Sequence, residues 1–131
     1  MLQPVEREIT VDAAGDYTDD TPEKFTGRFL GFHTKMGTMV NCTLTIAAVT
    51  AAHDAITETV RTLYTKAATG NTSFLPVKVN AVDNAGAAIA GVYEDQYLID
   101  ESIRITIAAG GISTTMDLQM LLDVERSATH R

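Results

Sequence analysis

The sequence predicts an all-β chain folded as a single domain, a β-sandwich or jelly-roll-like barrel with room for one short helix. Three observations predict it. Turn-forming residues recur at short intervals, at Ala14-Gly15-Asp16, Lys35-Met36-Gly37, Ala68 to Asn71, Asp83 to Gly86 and Gly110-Gly111, which suits short strands better than long helices. Between these breaks the apolar residues alternate, as half-buried strands require, because successive side chains point to opposite faces. The chain has 131 residues, 45% hydrophobic and 21% charged, enough for one core and too few for two domains of usual size.

Taken in order, Glu8 to Asp12 and Phe25 to Thr34 read as strands, and residues 1–7 as an N-terminal arm outside the domain. In the next segment Val40, Cys42, Leu44 and Ile46 share one face and Asn41, Thr43 and Thr45 the other. The stretch Thr50 to Ala68 carries two patterns. Ile56, Val60, Leu63 and Tyr64 have helical spacing, whereas Thr59, Thr62 and Thr65 with Val60 and Tyr64 favour a strand. We read it as a loop followed by a strand near Val60 to Lys66. Phe74 to Val82 is a further strand, with Pro76 near its start because proline has no N–H for a ladder.

Near the end, Ile103, Ile105 and Ile107 alternate with Arg104, Thr106 and Ala108. Met116, Leu118, Met120 and Leu122 alternate in the same way, and Gly110-Gly111 lies between the two runs. This reads as a β-hairpin. The body then covers residues 8–124, and 125–131 form a C-terminal tail.

Composition excludes several classes of function. Seventeen acidic against ten basic residues give a net charge of −7 and a pI near 4.7, which repels a phosphate backbone, so no nucleic-acid partner is expected. Apolar runs fall short of a membrane-spanning helix, and Met1 to Glu8 lacks the pattern of a secretory leader, so neither a membrane nor an export route is expected. The single cysteine, Cys42, lies within an apolar strand and reads as a small buried side chain.

The search for chemistry yields no catalytic residue, metal site or cofactor, and no enzyme is expected. His33, His53 and His130 are scattered, without the spacing of metal ligands, and His33 reads as a surface or rim histidine. No nucleophile elbow surrounds Ser73, Ser102, Ser113 or Ser127. Gly86 and Gly91 have the spacing of a phosphate loop, but Val92 and Tyr93 stand where its lysine and hydroxyl belong. Asp16, Asp19, Asp20 and Glu23, and separately Glu94, Asp95, Asp100 and Glu101, form acidic clusters without the order of a calcium loop. They read as solvated acidic loops.

Two segments carry a resemblance. Asp83-Asn84-Ala85-Gly86-Ala87 is followed by the run from Tyr97 through Glu101-Ser102-Ile103-Arg104-Ile105-Thr106-Ile107-Ala108-Ala109-Gly110-Gly111 and a closing strand. Earlier, Ile9 to Asp16 precedes the glycine-containing strand Thr26 to Phe32. This resembles small proteins encoded among the head genes of tailed bacteriophages. Their pattern has Arg-Ile-Lys where this chain has Ser102-Ile103-Arg104.

The resemblance implies a virion structural protein: a capsid decoration or cement subunit on the capsid surface, bound to the major capsid protein as a homo-oligomer, with a trimer favoured. It carries no catalytic residues. The termini would supply capsid contacts through Leu2, Pro4 and Val5 and through Arg126 and Arg131. The alternatives are a neck or tail subunit, or a carbohydrate- or cell-surface-binding module, although the chain has no Trp and only 6% aromatic residues for a sugar platform.

Overall fold

The structure, a computed structural model, describes residues 1–51 and 57–125, with Thr69 described by its backbone alone. Among these residues the regular structure is all strand: β1 (Leu2–Thr10), β2 (Tyr17–Asp20), β3 (Phe25–Met36), β4 (Asn41–Thr50), β5 (Thr59–Thr69), β6 (Leu75–Pro76), β7 (Lys78–Val82), β8 (Ala88–Ala108) and β9 (Thr115–Val124). All pair antiparallel, in the main order β1-β9-β3-β8-β4-β5. β2 and β7 attach to β8, and β6 to β3.

The open sheet folds over on itself at β8. Residues 96–101 of this strand pair with β3, and residues 102–108 pair with β4, so one strand serves both halves. Asp100, with φ of 49°, marks the change of direction, and its N–H donates to Thr26 Oγ1 at 2.9 Å. Strands that pass between layers commonly turn the corner at such irregularities. The halves meet where the Phe32 and Tyr64 rings pack edge to face, 4.8 Å apart, and where Gln96 Nε2 donates to the Leu63 carbonyl at 3.1 Å.

The core follows from alternation on both halves. Ile103, Ile105 and Ile107 lie in register with Ala48, Ile46 and Leu44 on one side. Opposite them stand Met116, Leu118, Met120 and Leu122 of β9, flanked by Ile9 and Phe32. Cys42 belongs to this cluster, and burial pushes its thiol pKa up. Gly27 lets β3 and β9 approach closely. Its φ is 149°, and a Cβ there would sit 2.2 Å from the Asp123 carbonyl oxygen. The outward face of the other half carries a row of threonines, Thr18, Thr106, Thr45 and Thr65, one from each of β2, β8, β4 and β5.

The all-β expectation holds, and the strand expected near Val60 to Lys66 lies within β5. Ile56, part of the helical spacing, falls outside the described residues. Three expectations are corrected. Residues 1–7 are not a free arm, because Leu2 to Thr10 pairs along β9 from Asp123 to Thr115 and satisfies a backbone edge that would otherwise be bare. The body therefore begins at residue 2.

The expected hairpin across Gly110-Gly111 is also absent. Ile103 to Ile107 pair with β4 and β2, whereas Met116 to Leu122 pair with β1 and β3. Each strand buries a full apolar row, and the two rows face each other across the core rather than lying side by side. The connection crosses from one half to the other and rests on the turn at Asp12 to Asp16, where Gly110 N donates to the Gly15 carbonyl at 2.9 Å. Gly15 has φ of 82°, and a Cβ on it would come within 2.7 Å of the Gly111 nitrogen. Finally, Val40 lies just before β4 and is exposed, so it does not share the buried face of Cys42.

Candidate assembly surface

The feature that sets this fold apart is the hairpin of β7 and the first part of β8. Its turn, Asp83 to Ala87, is built by one aspartate. The Asp83 carboxylate accepts from the Ala85 and Ala87 N–H groups at 2.8 and 3.0 Å, and the Gly86 N–H donates to the Asp83 carbonyl. Gly86 supplies the positive φ, 85°, that the turn needs. The turn at Asp12 to Asp16 repeats the same bonds, with Asp12 accepting from Ala14 and Asp16, so Val-Asp-x-Ala-Gly is a structural unit used twice.

Beyond this turn the hairpin stands clear of the core. Lys78 opposes Asp95 and Val79 opposes Glu94, then extra residues of β8 around Gly91 form a bulge. Every residue from Ala88 to Glu94 is exposed. Glu94 and Tyr93 lie in the ladder opposite Val79 and Asn80, so Val79 and Tyr93 belong to opposite faces, and they are 39% and 63% exposed, with Val92 in the bulge 47% exposed. Among the described residues the hairpin is therefore uncovered on both sides. Val82 and Ile89 are exposed with them, as are Phe74 and Leu75 in the segment before β7.

An ionic cluster fixes the base of the hairpin. Asp95 accepts from Lys78, and from Arg28 Nη1 at 3.1 Å, while Arg28 also pairs with Asp123. The hydrogen bond from Lys78, with the charges of Lys78 and Arg28, holds the Asp95 carboxyl below its usual range. On the neighbouring open side, the buried Glu101 carboxylate accepts from Arg61 at 2.9 Å, from the Ile99 N–H at 3.0 Å and from Thr50 at 3.3 Å. This ties β5 to the corner of β8.

The other residues singled out in the sequence take these places. Leu2 and Pro4 are exposed on the edge strand β1, and Val5 packs against the core cluster. Arg126 and Arg131, with His53, Ser127 and His130, lie outside the described residues. The acidic clusters are drawn apart by basic partners. Asp20 takes a two-pronged contact from Arg104 at 2.7 and 3.0 Å, Asp19 lies 3.8 Å from Arg7, and Asp95 and Glu101 are paired as above. Among the described residues no group of three or more His, Cys, Asp or Glu side chains converges as metal ligands would. Gly86 and Gly91, spaced like a phosphate loop, lie in the hairpin instead.

A depression of about 230 Å³ lies on the outer face where β1, β9 and β3 run side by side. Gln119 bridges it, donating to Glu6 at 2.7 Å and accepting from His33 Nε2, so that imidazole nitrogen carries a proton. Next to it Glu8 and Asp117 oppose one another, with Lys35 beside Asp117. This is a polar cross-strand network. His33 is part of a sheet surface, as its position in the strand suggested.

Sequence reasoning missed the uncovered hairpin. Its alternation is that of any strand, and only the small, glycine-broken run Ala88-Ile89-Ala90-Gly91 hinted that no core packs against it. No family model matches the chain, and no curated protein or solved structure matches it.

Proposed function

We propose that this chain is a structural subunit of a tailed-phage particle, a decoration or cement protein that stabilises the head by binding the major capsid protein on the capsid surface as a homo-oligomer, with a trimer favoured. The observation that carries this reading is the β7–β8 hairpin, apolar and uncovered on both faces. A two-stranded hairpin without a third layer is marginal in water, and contiguous exposed apolar surface marks a place where another macromolecule sits.

The resemblance of residues 83–111 to small phage head proteins supplies the kind of assembly. Leu2 and Pro4, outward on β1, remain available as shell contacts, whereas Val5 is occupied by the core. Purified protein should bind assembled shells and be found in particles by mass spectrometry. Absence from particles together with no binding to shells removes this function.

A further inference from the structure

The exposed hairpin needs an occupant, and the free edges of the sheet point to one. Among the described residues β1 and β5 end the main strand order, and the short β2 is an outer edge beside β8. The edges are not equivalent, and β2, four residues long with Asp19 and Asp20, is short and acidic. β1 carries Pro4, Glu6 and Glu8, the devices by which edges avoid pairing. β5 reads Thr-Val-Arg-Thr-Leu-Tyr-Thr-Lys, rich in strand-forming residues, with an exposed Val60; Arg61 is paired with Glu101, which leaves the exposed Lys66 as the free positive charge of this edge.

The hairpin has the opposite sign. Lys78 is paired with Asp95, which leaves Asp83 and Glu94 exposed and acidic. Two hairpins would repel each other, as would two β5 edges, and the acidic β1 edge would repel a hairpin. A hairpin against a β5 edge is the complementary pairing. Strand addition at an exposed edge supplies backbone hydrogen bonds while side chains set the register.

We infer that the occupant of the hairpin is a second copy of this chain, with the β7–β8 hairpin of one subunit docked on the free β5 edge of the next. The two surfaces differ, so the contact is head-to-tail. Repeated, such a contact closes into a ring or continues as a filament. The inference rests on reading the chain as an assembly subunit. It does not require a capsid, and it is tested on purified full-length protein with no shell present.

The test is charge reversal followed by light scattering and native mass spectrometry. Lys66→Glu or Glu94→Lys alone should weaken association at least about tenfold, and both in one chain should restore it. Mixing is more discriminating. A chain carrying Val92→Asp and Tyr93→Asp keeps a sound edge, and a chain carrying Lys66→Glu keeps a sound hairpin. Together they should form heterodimers that grow no further. These positions are exposed, so an unchanged circular dichroism spectrum and melting temperature will show that the variants fold. A wild-type chain that stays monomeric, or a Lys66→Glu variant that associates as well as wild type, overturns the inference. The first outcome leaves shell binding by single subunits to be decided by the particle experiment. The second points to hairpin-to-hairpin contact.

Discussion

Strand β8 contains both extremes of the molecule. At its C-terminal end Ile103, Ile105 and Ile107 are sealed between the two halves of the sheet. At its N-terminal end Ile89, Val92 and Tyr93 belong to the same continuous strand and are exposed, with no second layer over them among the described residues. The side chains are of one kind and the backbone is of one kind. What differs is the neighbour: β9 and β3 close over the first set, and only β7 accompanies the second. Alternation therefore reports that a strand exists, and says nothing of what covers it.

That contrast can be tested at several sizes. Ile105→Ala should cost about 3 kcal/mol in urea unfolding, because it leaves a cavity in a fully packed interior. Val92→Ala should change the same measurement by less than about 0.5 kcal/mol, because that side chain packs on little in a single subunit. Equal losses at the two positions would mean that the hairpin is covered by its own chain.

Deleting residues 1–7 should lower the melting temperature by at least about 5 °C, because the deletion strips the partner from one edge of β9. A free arm would leave it unchanged. Glu101→Ala, which orphans the Arg61, Ile99 and Thr50 donors at the corner of β8, should cost about 1–3 kcal/mol by chemical denaturation, and Glu101→Gln should recover part of that.

The smallest effect concerns the base of the hairpin. Asp95 has a lowered pKa in the folded chain because Lys78 and Arg28 donate to it. A depressed folded pKa adds stability above the ordinary carboxylate value of about 4, and that stability is lost as pH falls through the lowered value. The difference in melting temperature between wild type and Asp95→Asn should therefore shrink between about pH 6 and pH 2.5, and a constant difference would show that the pair adds nothing.

Much of the fold was legible. The strands around Phe25 to Thr34, Asn41 to Ile46, Val60 to Lys66, Ile103 to Ile107 and Met116 to Leu122 all follow from alternation, which is a local property of the chain. Their partners were not legible. Gly110-Gly111 allows either a hairpin or a crossing between layers, and the choice was made by the isoleucine and methionine rows, each of which needed an apolar surface opposite. β1 was misread because Gln3 and Arg7 share the inward-leaning face with Val5 and Ile9, so hydrophobic alternation is broken although the backbone pairs without interruption. Of the candidate surface, the turn at Asp83 to Gly86 was readable from its residues. The exposure of Ile89 to Tyr93 depends on where β3 and β9 stop, a tertiary fact.

The β7–β8 hairpin is exposed in a single subunit, and the inferred assembly covers it. Backbone hydrogen exchange, resolved by peptide and compared between dissociated subunits and the assembled form, tests it most directly. Residues 78–95 should exchange fast in the separated subunit and become protected on assembly, while residues 103–107 and 116–122 stay protected in both. Equal protection of the hairpin in the two states would contradict the account.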